Sequence, residues 1–233
     1  MFKGFGASVS ILMLVACGGL SSRPTVPHAP PASTAPPPVH GAVYRIDAAQ
    51  SELKLLVYRA GPMASLGHNH VIVNRALGGW VRYGATASGG SFALTIPAAG
   101  FVVDEARARG EEGGDFAEDV TEDAKAGTLR NMLSPAVLDA TQFPVIGMHS
   151  LAVEGAGDAL QATVAVEVAG YSSTLLVPFS LDSSSGRLTG SGALTLRQSA
   201  LGLTPFSVFL GALRVQDEMR VKFRLVALAN PNP

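Results

Sequence analysis

Apolar and polar residues alternate with a period of two in several segments of the chain. At Leu53, Leu55 and Val57, apolar positions are separated by polar ones, so Glu52 and Lys54 are expected to face solvent. Such alternation is typical of β-strands with one buried and one solvated face. Three more segments predict inward rows: Phe92, Leu94 and Ile96; Leu160, Ala162, Val164, Val166 and Val168; and Val221, Phe223, Leu225 and Ala227.

Turn signals separate these segments at 87–90, 155–158 and 182–186, where Gly, Ser and Asp accumulate. Many short strands with regular turns predict an antiparallel sandwich or barrel. A barrel of about eight strands is just wide enough to be filled by side chains or to hold one slender ligand. The small inward residues Ala162, Gly190 and Gly192 fit either a tunnel or tight packing at bends.

One stretch, 121–139, has helical rather than alternating spacing. Ser134 followed by Pro135 has the pattern of an N-cap with proline at the first helical position, which predicts a break and a short second helix. We expect this helical insertion to cover one end of the barrel. The segment before it, 104–123, holds nine of the 18 acidic residues and is expected to be a solvated loop.

The N-terminus has the layout of a secretory signal, with Lys3 ahead of an apolar stretch from Val9 to Ala16. The residues before Cys17 resemble a bacterial lipobox, which implies that 1–16 is a lipoprotein signal peptide and Cys17 a lipid anchor. Gly18 then favours the outer membrane, facing the periplasm. The alternative is that Cys17 is an ordinary small residue near a cleavage site. Residues 17–42 are rich in proline and predict an extended tether.

Composition narrows the function classes. Lys plus Arg is 17 against 18 for Asp plus Glu, so there is no electrostatic case for binding nucleic acid. The single cysteine excludes an intramolecular disulfide. The remaining residues, 43–228, are enough for one domain with a sizeable core, followed by a short tail at 229–233.

Several motifs resemble the YceI-like family of periplasmic proteins. They are the opening strand at 44–47 with Ser51, the helix-to-strand passage at 138–146 with Ser150, and the C-terminal segments 201–203 and 215–219. The resemblance implies an all-β fold, an antiparallel lipocalin-like β-barrel of about eight strands with a helical insertion. It also implies that the barrel binds a polyisoprenoid lipid.

Gly67, His68, Asn69 and His70 depart from the common form of the family and resemble a subgroup with a paired histidine. On a strand, both imidazoles would face the same side. Three interpretations stay open: a headgroup site for a phosphate or quinone carbonyl, a hydrogen-bonded structural pair, or a metal site. A metal would need a third ligand, for which His149, Met63, Met148 and Asp217 are the candidates. Arg214 is a candidate phosphate partner.

The sequence contains no Gly-x-Ser-x-Gly elbow and no glycine-rich nucleotide loop, so we predict a binding protein without catalytic residues, metal or cofactor. It would carry or sequester a polyprenyl or quinone-type lipid. The alternatives are a histidine-based protein that binds a metal or a small redox molecule, and an envelope interaction protein with a solid barrel. The predicted ligand-binding residues are Leu53, Leu55, Val57, His68, His70, Phe92, Leu94, Ala162, Val164, Val166, Val221, Phe223 and Leu225.

Overall fold

A computed structural model describes residues 41–84, 86–157 and 159–229. The predicted signal peptide, Cys17 and nearly all of the predicted tether lie outside the described residues, as do 230–233. None of the described helices is long and apolar enough to cross a membrane.

The strands are β1 (Ala42–Ile46), β2 (Glu52–Ala60), β3 (His70–Asn74), β4 (Gly78–Tyr83), β5 (Ser91–Pro97), β6 (Phe101–Val103), β7 (Val145–Ala156), β8 (Ala159–Val168), β9 (Tyr171–Ser184), β10 (Arg187–Arg197), β11 (Ser207–Val208) and β12 (Leu213–Ala229). The α-helices are α1 (Ala106–Glu112) and α2 (Glu122–Leu133).

Eight antiparallel strands close into a barrel in the order β1, β4, β5, β7, β8, β9, β10 and β12, with β12 pairing back to β1. The first part of the long strand β12 pairs instead with β2, which continues the sheet through β3 to β6. The predicted all-β, lipocalin-like barrel of about eight strands with a helical insertion is therefore confirmed.

The strand register turns the predicted apolar rows toward the inside of this barrel. Ala162 on β8 faces Val177 on β9 and Val153 on β7, and Phe223 on β12 faces Leu53 on β2. Ala162, Val164 and Val166 are all less than 5% exposed. Period-two alternation was thus a correct guide to the inner face.

The outer face of β2 is covered, contrary to expectation. Lys54 is only 7% exposed, and its Nζ lies 2.9 Å from Glu111 and 3.2 Å from Glu112. Burial by itself lowers the pKa of Lys54, but the hydrogen bonds to these two carboxylates raise it above its ordinary value. The ammonium is therefore held under α1 as a charged group rather than in solvent.

The acidic segment 104–123 is correspondingly not a solvated loop. It contains α1, and its apolar residues Ala108 and Phe116 pack on Leu56, Val71 and Val73 in a second small core outside the barrel. The acidic residues predict solvation, but the few small and aromatic residues between them decide where the segment packs.

The predicted second helix after Ser134 is also wrong. Thr121 is the N-cap of helix α2, its side-chain oxygen accepting from the Ala124 N–H, and the helix ends at Leu133. Ser134 is its C-cap, and the Ser134 carbonyl accepts from the Val137 and Asp139 N–H groups in a turn. Asp139 has φ of 47°, which stops any helical continuation.

Candidate functional site

The barrel encloses a cavity of about 480 Å³. All of the residues predicted to bind a ligand lie on its wall, and helix α2 adds Ala124, Thr128, Asn131 and Met132. The barrel interior is therefore hollow, which contradicts the alternative of a solid barrel. The thirteen predicted residues are Leu53, Leu55, Val57, His68, His70, Phe92, Leu94, Ala162, Val164, Val166, Val221, Phe223 and Leu225.

The cavity follows the length of the barrel. Strand β12 lines it from Val215 to Ala227, a path of about 40 Å at roughly 3.3 Å per residue. Most of the wall is aliphatic or aromatic, because each contributing strand turns its apolar row inward. Such a wall removes an extended apolar chain from water without needing polar partners.

The two inward glycines have different roles. A Cβ at Gly190 would meet no other atom within 4 Å, and Gly190 lines the cavity. At Gly192, a Cβ would lie 2.7 Å from the Phe223 ring and 2.5 Å from the Pro178 carbonyl oxygen. Gly190 therefore leaves room for a ligand, whereas Gly192 is required for tight packing.

Polar side chains gather where β2 ends and β3 begins, at the end of the barrel nearest the β11–β12 hairpin. The side chains that line the cavity there are those of Arg59, His68, His70, Thr128, Gln198 and Arg214. The cavity thus has a polar region at this end of an apolar channel, which can receive the headgroup of an amphiphile. Arg82, Tyr83 and Ser91 line the cavity near the other end, beyond the last residues of β12.

His70 is fixed by a buried carboxylate. Its Nδ1 lies 2.6 Å from Oδ2 of Asp104, which is completely buried. The other oxygen, Oδ1, accepts from the Val71 N–H at 2.8 Å and from Arg109 Nη1 at 2.6 Å. Asp104 follows strand β6 directly and adopts φ of 55°, which is uncommon for a residue other than glycine. The Val71 N–H and Arg109 therefore fix the carboxylate, and the carboxylate fixes the His70 ring.

The charge state of Asp104 sets the orientation of His70. Burial by itself raises the pKa of Asp104, but the hydrogen bonds from His70 and the Val71 N–H hold it below its ordinary value. An ionised carboxylate only accepts hydrogen bonds, so Nδ1 of His70 carries the proton. Nε2 lies 3.2 Å from the hydroxyl of Thr128, which also lines the cavity. A neutral His70 offers an acceptor there and a protonated one offers a donor.

Arg109 ties the histidine segment to the rest of the fold. Its Nη1 donates to the Asn69 carbonyl at 2.8 Å and its Nη2 to the Glu118 carbonyl at 2.6 Å. The Asn69 side chain accepts from the Arg59 N–H and donates to the Asp115 carbonyl. Sequence reasoning missed Asp104 and Arg109. The available signal was an Asp immediately after an apolar strand, followed by one of few basic residues in an acidic segment.

The two histidines are not equivalent. His68 precedes β3 and is not on a strand, which corrects the expected shared strand face, although both rings line the cavity. The ring centroids are 6.2 Å apart. The His68 side chain is 29% exposed, and its Nε2 lies 4.0 Å from Glu118. His68 therefore sits nearer the solvent, and His70 deeper.

Of the four candidates for a third metal ligand, Asp217 lies on β12, Met148 and His149 lie on β7, and Met63 lies in the loop between β2 and β3. Asp217 accepts hydrogen bonds from the Ser199 N–H and hydroxyl at 2.8 and 2.6 Å. His149 faces Ala93 in the pairing of β7 with β5, while its neighbour Met148 lines the cavity. Among the residues that the structure describes, no group of three or more His, Cys, Asp or Glu side chains is placed to hold a metal ion.

No family model matches the chain, and no curated protein sequence is similar to it. Solved structures do match. BcnA of Burkholderia cenocepacia is 21% identical, with a TM-score of 0.58 over 78% of this chain and 99% of that one. A polyisoprenoid-binding domain from Saccharophagus degradans, implicated in plant cell wall breakdown, is 11% identical, with a TM-score of 0.53 over 82% and 100%. A mutant of the Campylobacter jejuni YceI protein is 12% identical, with a TM-score of 0.50 over 68% and 84%.

These matches define the class of fold. The protein is an antiparallel, lipocalin-like barrel of the YceI type, and the resemblance drawn from the sequence motifs is confirmed at the level of the fold. At these identities the shared property is the architecture, and one architecture hosts unrelated functions.

Proposed function

We propose that this protein binds an amphiphilic isoprenoid lipid, of the polyprenyl or quinone type, without transforming it. The observation that carries the proposal is the apolar cavity along the barrel with polar side chains gathered around His70. The apolar chain lies in the barrel, and the headgroup meets His70 Nε2 and the Thr128 hydroxyl. The protein acts as a carrier or store in the bacterial envelope, anchored through a lipid on Cys17.

Burial of apolar surface supplies the main free energy of binding. Each Å² of chain removed from water contributes about 25 cal/mol, so a long chain gains several kcal/mol before any headgroup contact. The Saccharophagus degradans domain with the same fold is described as polyisoprenoid-binding, which supports this class of ligand over other apolar molecules.

Binding is favoured over catalysis by the position of Thr128. Asp104, His70 and Thr128 follow the carboxylate, imidazole and hydroxyl order of nucleophilic hydrolases. Thr128, however, lies within α2, where the neighbouring N–H groups are used in helical hydrogen bonds. The helix therefore offers no free N–H beside the hydroxyl to stabilise an oxyanion. A metal-based function has less support, since no group of three or more His, Cys, Asp or Glu side chains among the described residues is placed to hold a metal ion.

A headgroup contact at His70 predicts a selective effect of His70→Ala. Affinity for a polyprenol is expected to fall about fivefold, because one hydrogen bond contributes about 1 kcal/mol. Affinity for squalene, an isoprenoid hydrocarbon without a headgroup, should stay the same. Both are measured by titration from cyclodextrin into detergent-free protein.

The matched control for this experiment is His149→Ala, because His149 does not line the cavity. It should leave both affinities unchanged. Equal losses for polyprenol and squalene in His70→Ala would place the headgroup elsewhere, and failure of the parent protein to bind either lipid would remove the proposed function.

A further inference from the structure

Three large apolar side chains are exposed together at the polar end of the barrel. Leu66 is 65% exposed, Phe209 68%, and Leu210 is fully exposed. They lie on two neighbouring loops, joined where the Met63 N–H donates to the Ala212 carbonyl at 2.8 Å. We call Leu66, Phe209 and Leu210 the apolar tip. Exposed apolar clusters of this kind mark interaction sites on soluble domains.

The backbone of the apolar tip is strained. Phe209 has φ of 52° and Leu210 has φ of 54°, both in the left-handed region that non-glycine residues rarely adopt. Gly or Asn would fit these two positions more easily. Two bulky apolar residues are instead held out into water by an unfavourable backbone, and such outliers concentrate at functional sites.

The apolar tip is continuous with the cavity. Leu66 is followed by Gly67 and His68, which line the cavity. On the other loop, Val208 and Leu213 form the last pair of the β11–β12 hairpin, and both line the cavity as well. An apolar path therefore leads from Phe209 and Leu210 through Val208 and Leu213 into the barrel.

We propose that the apolar tip inserts into the interfacial layer of a lipid bilayer and lets the ligand pass between the bilayer and the cavity without crossing water. This inference rests on the proposed function, because it concerns how that ligand enters. Arg214 is exposed beside the hairpin loop and lines the cavity, where its guanidinium can pair with a lipid phosphate at the bilayer surface. Apolar side chains next to a cation are the composition of interfacial anchors.

The predicted lipid anchor allows this orientation. Strand β1, where the N-terminal segment joins the barrel, pairs with the last residues of β12. The β11–β12 loop of the apolar tip lies just before the first residue of β12. The N-terminal segment and the apolar tip are therefore at opposite ends of the barrel. The 17 residues of β12 span about 55 Å at roughly 3.3 Å per residue. Residues 17–41, if extended at about 3.1 Å per residue, reach about 75 Å. A barrel anchored at Cys17 can therefore turn its apolar tip to the same membrane.

Insertion is tested directly with a tryptophan in the apolar tip. Leu210→Trp, in the full chain with Trp80→Phe so that the introduced indole is the sole tryptophan, is mixed with vesicles of phosphatidylethanolamine and phosphatidylglycerol, with and without brominated acyl chains. Its emission should shift to the blue and be quenched at least twofold by the brominated lipid. Leu151→Trp, with the same Trp80→Phe change, is the control, because Leu151 is 56% exposed on β7 opposite the middle of β8; its emission should not change.

Two outcomes overturn the inference. In one, Leu210→Trp stays unquenched on vesicles that carry the protein; in the other, Leu151→Trp is quenched to the same extent. Quenching can be measured with an empty cavity. A protein that does not bind the proposed ligand would therefore still show whether the apolar tip inserts.

Transfer kinetics provide a second readout. Changing Leu66, Phe209 and Leu210 together to Ser should slow delivery of a bound polyprenol to these vesicles at least tenfold, while affinity in solution stays unchanged. The matched control changes Leu151 and Leu176 to Ser, since both are more than half exposed on the outer wall. An unchanged transfer rate in the tip variant, or an equal loss in the control, contradicts docking through the apolar tip.

Discussion

Gly190→Phe is expected to abolish lipid binding and leave the barrel folded. The new Cβ meets no other atom within 4 Å, so the ring extends into the channel between Leu181 and Leu225, the partners of Gly190 on the neighbouring strands. Displacing about 120 Å² of chain burial costs about 3 kcal/mol, which is a loss of more than a hundredfold in affinity. Titration with polyprenol and squalene measures it, and both ligands should be lost alike.

The control for Gly190→Phe is Ala193→Phe. Ala193 lies on the same strand, is exposed and does not line the cavity, so the same ring is added outside the barrel. Its affinities should match the parent. If Gly190→Phe binds normally while circular dichroism shows an intact fold, the ligand does not occupy this part of the barrel.

Asp104→Ala should reduce the free energy of unfolding by about 3–5 kcal/mol, because it leaves the buried Arg109 guanidinium without its carboxylate partner. Lipid affinity of the remaining folded protein should fall too, since the His70 ring loses the acceptor that fixes its orientation. Urea denaturation gives the first quantity. The control Asp115→Ala removes an exposed acid from the same segment and should stay within about 0.5 kcal/mol of the parent.

The pH dependence of the free energy of unfolding distinguishes the effect of the Asp104 charge from the effect of its side-chain shape. A carboxyl whose pKa is lowered by folding stabilises the protein above its unfolded value near 3.8, and this contribution is lost as the pH falls through the folded pKa. The parent should therefore lose stability steeply below about pH 4. Asp104→Asn keeps the shape of the side chain, and Asn tolerates positive φ. Its free energy of unfolding should fall less steeply below about pH 4 than that of the parent. An identical fall in both proteins would contradict an ionised, paired Asp104.

The inner wall could be predicted from sequence because its signal is local. Alternation at Leu53 and Leu55, or at Ala162 and Val164, is fixed by the two-residue period of a strand, whatever lies across the barrel. The same rule misplaced Lys54, because alternation separates the two faces of a strand but does not reveal that a helix covers the outer one.

The polar end could be predicted only in part. The spacing of His68 and His70 identified the imidazoles, and both line the cavity. The partner of His70 is 34 residues away, at Asp104, and no periodic pattern connects two positions across a sheet.

The role of Ser134 could not be predicted from its local sequence. Serine before proline is a typical start of a helix, but here the turn after Leu133 uses the same residues to end one.

Binding of an isoprenoid lipid in the barrel is tested by the mass of the native protein and of its organic extract. The full chain with Cys17→Ser, purified from bacterial envelopes without detergent, should carry one isoprenoid-type lipid per barrel. The lipid should be recovered intact and be absent from the same chain bearing Gly190→Phe. A barrel that is empty, or one that carries a lipid of another class in both proteins, would contradict the proposed function.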